Sequence, residues 1–380
     1  MPHLLFTIFL IFSFVVQQPS GQSSDQAAEI ASQFNRAVAL QQQGKFEEAA
    51  GEYQAVLKRK PDYAEAYANL GVVLARLGKF DEAVASYETA VRLNPKLTQV
   101  RLNIGILHYR ANRFDKAVLA LEEFLQSAPD NTQARQLLGL SLLETGRDND
   151  AIKQLEPILL AAPEDAGALY SLGLAYLRQN RPELTWAIDK LASIPSGAPT
   201  SHLLKGQMFL ARFEFEKAVA ELSEAQKLNP ELPRLYYSLG LSYYKMGRNK
   251  DAIEAFENEL RRRPQDFTTN YYLALLQESE GNLDAARDRL NAALKLAPDS
   301  AETNALLGKI LVKQGREAEA LTPMEKAVAG DPTDPVKRYT LARIYRKLGR
   351  QEDANREFAE VQRLKSVELE KDRARAPKPE

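Results

Sequence analysis

The chain contains no cysteine. Disulfides, thiolate nucleophiles and cysteine-ligated metals are therefore excluded. Histidine is almost as scarce: three occur in 380 residues, and no two stand four apart, so a histidine-paired zinc site on one helix is excluded too. Fifty basic residues face 51 acidic ones, a net charge of −1. Such a balance leaves no global field to gather nucleic acid or an anionic membrane. No Asn-x-Ser/Thr acceptor for N-glycosylation is present, and Trp186 is the single tryptophan.

A long apolar run is also missing. Leu4–Val16 is apolar except for Thr7 and Ser13. It falls short of the about 20 residues a membrane helix needs. It fits the apolar core of a secretory signal, with Pro19 and Gly21 ending any helix and with Gly21 and Ser23 as small residues for cleavage after Ser23. No Lys or Arg precedes it, only His3 and the amino terminus, and no cysteine follows to carry a lipid. The expectation is a signal over residues 1–23 and a secreted or periplasmic protein. The membrane is a partner only if this segment stays uncleaved.

What the chain has in abundance is a 34-residue period. Gly or Asn recurs at Gly44, Gly78, Asn112, Gly146 and Asn180, then at Gly247, Gly281, Gly315 and Gly349. Proline keeps step at Pro61, Pro95, Pro129 and Pro163, then at Pro230, Pro264, Pro298 and Pro332. A fixed period of this size marks a solenoid, which grows by addition and needs no separate globular cores. In the copy Ala64–Leu97, Tyr67, Leu70, Gly71 and Leu74 share one helical face. Gly78 ends that helix, because a left-handed residue past the last turn is cheapest for glycine. Phe80, Ala83, Val84, Tyr87, Ala90 and Val91 face inward on a second helix, which Pro95 stops. Glycine in mid-helix costs roughly 1 kcal/mol against alanine. Its return at Gly71, Gly105, Gly139, Gly173, Gly206, Gly240 and Gly308 therefore predicts a close approach of two helices.

The set Tyr67, Leu70, Gly71, Leu74, Ala83, Tyr87, Ala90 and Pro95 resembles the spaced pattern of the tetratricopeptide repeat family. The same frame fits ten units from about Ile30 to Ser366. The resemblance implies an all-α fold, an α-solenoid forming a right-handed superhelix of helix-turn-helix repeats, with first helices lining a concave groove. The expected organisation is repeats 1–5 over residues 24–198, repeats 6–10 with a capping helix over 199–368, and a disordered polar tail over 369–380. The fifth unit departs from the pattern. Thr185 and Asp189 stand where Ala and an apolar residue belong, and the loop Ile194–Pro199 reads as one residue short. Phe213 takes a position where Gly is expected.

The repeats leave no room for a catalytic domain, and the residues offer no chemistry in its place. His108 and His202 fall on core positions. Gly44-Lys45 and Gly78-Lys79 lack the spacing and the Ser or Thr of a phosphate loop. No enzyme activity and no cofactor are expected; the remaining candidate for an unfamiliar site is Thr185, Trp186 and Asp189. The resemblance places a protein or peptide partner in the groove, against Asn69, Leu102, Asn103, Ile106, Tyr109, Tyr170, Tyr237, Leu241, Tyr244, Tyr271, Leu275, Tyr339 and Arg343. Tyrosine combines contact area with a hydrogen-bonding tip, and such anchors at successive steps suit an extended or helical segment. A carboxylate clamp of the family's chaperone-binding type is rejected at the N-terminal end. Phe34, Val38, Leu102 and Ile106 occupy its sites, and only Asn69 matches. An assembly subunit is the alternative function, and oligomeric state is left open.

Overall fold

A computed structural model describes residues 24–375. The expected signal, residues 1–23, and residues 376–380 of the expected tail lie outside the described residues. Among the described residues there are 20 helices and no strand. The chain divides into two compact units between Leu204 and Lys205.

The first unit contains α1 (Ser24–Gln42), α2 (Phe46–Arg59), α3 (Ala64–Arg76), α4 (Phe80–Leu93), α5 (Thr98–Arg110), α6 (Phe114–Ser127), α7 (Thr132–Glu144), α8 (Asp148–Ala161), α9 (Ala166–Arg178) and α10 (Glu183–Ser193). Helix α11 (Ala198–Ala211) carries the division. From α1 to α10 each odd-numbered helix packs on the next even one, and α2, α4, α6 and α8 each pack on the first helix of the following repeat. The turns close as the period predicts. Gly78 has φ +74°, the Lys79 N–H donates to the Leu74 carbonyl at 2.9 Å, and the Gly78 N–H donates to Ala75 at 3.2 Å. These two bonds satisfy carbonyls that the helix end would otherwise leave bare. The mid-helix glycines mark close approach. A Cβ on Gly71 would stand 2.5 Å from the ring of Tyr87, which is fully buried.

The fifth repeat corrects the sequence reading. Tyr53, Tyr87, Leu121 and Leu155 are register equivalents, 34 apart and fully buried. The next position in step, Asp189, is exposed, as are Thr185 and Trp186. The buried residues of α10 are Leu184, Ala187, Ile188 and Leu191, one place earlier. From there the period runs unbroken through Leu222, Phe256, Leu290 and Met324. The missing residue is therefore absorbed at the start of α10, and the loop Ile194–Pro199 is not short in the corrected frame. The cause is visible in the backbone. The Leu184 N–H bonds the Arg181 carbonyl and the Thr185 N–H bonds Pro182, both at 3.2 Å. These are three-residue steps, which wind the first turn more tightly than an α-helix and rotate all that follows.

The second unit contains α12 (Phe215–Leu228), α13 (Leu235–Lys245), α14 (Asn249–Arg262), α15 (Phe267–Ser279), α16 (Leu283–Leu296), α17 (Ala301–Lys313), α18 (Glu317–Gly330), α19 (Pro335–Lys347) and α20 (Gln351–Arg375). Its packing repeats that of the first. Phe213 occupies the turn position that elsewhere holds Gly or Asn, with φ +61° and 77% of its surface exposed. A left-handed backbone costs a side-chain-bearing residue about 1–2 kcal/mol. Helix α20 continues past residue 369, where a tail was expected to begin, because Glu, Lys, Arg and Ala sustain a helix as far as Arg375, the last described residue.

Candidate functional site

Non-adjacent helices meet through first helices: α1 with α3, α5 with α7 and α7 with α9 in the first unit, and α17 with α19 in the second. Burial decides what the expected lining can offer. In the first unit Asn69, Leu102, Asn103, Ile106 and Tyr170 are buried within the chain. The Asn103 amide donates to the Tyr87 hydroxyl at 3.5 Å and leaves its Oδ1 without a partner. Tyr109 is half-buried and meets Phe114 edge-on at 5.6 Å.

The second unit presents more surface. Tyr237, Leu241, Tyr244, Tyr271 and Leu275 are half-buried, Tyr339 is 47% exposed, and Arg343 is exposed. The rings join through Tyr272. Its centroid lies 5.4 Å from Tyr244, 6.0 Å from Tyr271 and 6.4 Å from Tyr237, and it stacks on the fully buried Phe256 at 5.8 Å. Phe267 extends the set, lying parallel to Tyr271 at 6.5 Å. Tyr272 was not anticipated, although it holds the same register position as Asn69 and Asn103. Applying that position to every repeat would have found it. Burial raises the hydroxyl pKa of Tyr237, Tyr271 and Tyr272, so these tips stay protonated and neutral.

A buried glutamate holds one edge of this surface. Helices α15, α17 and α19 begin with side-chain caps from Asp266, Ser300 and Asp334. Helix α13 begins at Arg234, which has φ +60° and no side-chain cap. Glu259 of α14 replaces the cap: its Oε2 accepts the Tyr237 N–H at 3.2 Å. It stands where Ala90, Ala225, Ala293 and Ala327 stand in other repeats, and is only 1% exposed. Burial pushes its carboxyl pKa up, against the Arg263 charge and the Tyr237 N–H. The Arg234 guanidinium covers the Tyr237 ring at 4.3 Å and lies 3.7 Å from Asp266. Tyr237 is thus fixed through both its backbone and its ring.

The residues searched for chemistry do not come together into a site. Thr185, Trp186 and Asp189 lie exposed on α10, away from its packed face. His108 is buried on α5 and His202 half-buried on α11. Among the described residues no group of three or more His, Asp or Glu could hold a metal ion, and no helix is long and apolar enough to cross a membrane.

Comparison with known proteins agrees with this geometry. Models described as tetratricopeptide repeat match residues 34–97, 237–301 and 279–335, and also 74–140 and 108–175; one described as TPR repeat matches 206–247. The chain is 31% identical over 134 residues to the tetratricopeptide repeat and J domain-containing co-chaperone DNJ1 of Cryptococcus neoformans, covering 35% of this chain and 25% of that protein. It is 27% identical over 145 residues to the BBSome complex member BBS4 homolog of Drosophila melanogaster, covering 37% and 30%. It is 27% identical over 158 residues to the peroxisomal targeting signal receptor of Candida glabrata, covering 41% and 25%. The chain therefore spans under a third of these relatives' length. The crystal structure of the APC/C hetero-tetramer Cut9-Hcn1 aligns over 88% of this chain and 80% of its own, at 15% identity and a TM-score of 0.50, a likeness of fold alone. Helix pairs at a 34-residue period, left-handed turns at their joints, small residues where helices cross and repeat models over both units lead to one conclusion: the chain belongs to the tetratricopeptide repeat family.

Proposed function

We propose that the protein is a non-enzymatic scaffold that holds an extended or helical segment of another protein against its first helices, outside the cytoplasm. The observation that carries this reading is the joined, part-exposed tyrosine surface of α13 and α15, centred on Tyr272. Tyrosine loses little side-chain freedom on binding and is enriched where interface energy concentrates. The relatives named as a co-chaperone and as a targeting signal receptor support a protein ligand. In the first unit the accessible part of the lining shrinks to Tyr109 and its neighbours, so the second unit is assigned the main contact. Replacement of Tyr237, Tyr244 and Tyr271 together by Ala is expected to abolish capture of the native partner while the helical fold persists. Undiminished capture by the folded variant would remove this surface from consideration.

The location rests on the apolar run Leu4–Val16 and the small residues Gly21 and Ser23. Protein recovered from its native cells is expected to begin at Ser24, and an intact Met1 on the mature protein rejects cleavage. Exposed Leu119 of α6 and Leu160 of α8 favour a second reading, an assembly subunit joined through its second helices. A monomer by light scattering at high concentration would count against that reading.

A further inference from the structure

The residue that follows the close-packed small position of each first helix changes character along the second unit. It is Leu241 on α13 and Leu275 on α15, then Lys309 on α17 and Arg343 on α19. The leucines are half-buried and the two cations exposed. Helices α17 and α19 pack directly on each other, so this one register position puts two cations on neighbouring elements. One turn further, Lys313 pairs with Glu278, and Arg346 covers the Phe358 ring at 5.6 Å, beside Tyr339.

Several cations of this unit have a carboxylate. Arg248 pairs with Asp251, Arg287 with Asp284, Arg316 with Glu319, Arg350 with Asp353 and Arg363 with Glu360. Lys309 and Arg343 have none among the described residues. One unpaired surface cation means little. Two at one repeat position, continuing the row that carries Leu241 and Leu275, form a directional feature: apolar and aromatic first, then positive.

We propose, resting on the reading above, that the bound segment is a peptide with aromatic or aliphatic side chains followed by clustered Asp or Glu. Its apolar part lies on Tyr237, Leu241, Tyr271 and Tyr272, and its carboxylates face Lys309 and Arg343. Arginine can hold a carboxylate through two parallel hydrogen bonds, which adds orientation to attraction. A nucleic acid fits less well. Two cations give no continuous track along a phosphate chain, and the whole protein carries a net −1.

Selection of a random peptide library against the full chain tests this. Enriched peptides are expected to combine apolar residues with an acidic cluster. They should bind about tenfold more weakly to a Lys309→Gln/Arg343→Gln double variant, and the difference should vanish when the peptide's Asp and Glu become Asn and Gln. Both substitutions are at exposed positions, and an unchanged melting curve verifies the fold. Enriched peptides without acidic residues, or with equal affinity for the double variant, overturn the proposal. If such peptides still lose affinity when Tyr237, Tyr244 and Tyr271 become Ala, the scaffold reading stands without it. Failure to enrich any peptide overturns both. Tight binding of a single-stranded oligonucleotide that the double variant abolishes also overturns it, in favour of nucleic acid.

Discussion

His108 shows how one residue can set a pH dependence in a protein with little other titratable chemistry near neutrality. It occupies the register of Leu74 and Leu142 in the adjoining repeats, is 6% exposed, and leaves Nδ1 without a partner. Burial lowers its pKa, and the charges of Lys116 and Arg113 lower it further against weaker opposition from Glu88 and Asp81. An unfolded histidine titrates near about 6.5. Below that pH the unfolded chain binds a proton that the folded chain resists, so folding stability must fall as pH falls. His108→Leu restores the residue of the neighbouring repeats and removes this penalty. Its melting temperature should decline less than the wild type's between about pH 7.5 and pH 5.5. Parallel curves for the two proteins would mean that His108 takes up a proton as readily in the folded chain as in the unfolded one, and would reject the penalty. His202 is common to both proteins and cancels in the comparison.

At the scale of the element, α10 and α13 show where local geometry decides what a periodic pattern leaves open. The frame expected Thr185 and Asp189 to face inward, and counted the fifth repeat as weak. The tight first turn of α10 turns the helix by one residue, so that Leu184, Ala187, Ile188 and Leu191 form an ordinary core face. The apolar residues were readable, but the turn that presents them depends on two backbone bonds that leave no mark in composition. Leu184→Ala should cost about 2–5 kcal/mol in urea unfolding, as deletion of a buried leucine does. Asp189→Ala should stay within about 0.5 kcal/mol, as surface changes do. The opposite order would restore the original frame. In α13 the hidden element is Glu259, which no periodicity identifies as a cap. Its role appears only when Arg234 is seen to begin the helix without one.

For the whole molecule, the period made the helix order, the left-handed turns and the belonging of nearly every core residue legible in advance. It could not say which residues of the expected lining their neighbours cover. Packing within the array buries Asn69, Leu102, Asn103, Ile106 and Tyr170, and it leaves the half-exposed tyrosines of α13 and α15 as the larger accessible surface. Each repeat covers its predecessor, so the last one needs a cover of another kind. Helix α20 supplies it. Ala354 is fully buried, Val361 nearly so, and Phe358 packs beneath Tyr339 and Arg346. Arg338 of α19 pairs with Glu357 at 2.6 Å. Beyond Ser366 the described side chains, Val367 to Leu369, are exposed. Truncation after Ser366 should therefore leave thermal unfolding unchanged. Truncation after Gly349 uncovers Leu341, Ile344 and Tyr345, and it forfeits the burial of Val361, at about 1.5–3 kcal/mol, and the partial burial of Phe358. The shorter chain should melt at a clearly lower temperature and associate through the bared α19. Equal melting of both truncated chains would show that the final repeat is stable without its cover, and α20 would then have to be explained by something other than the stability of the array.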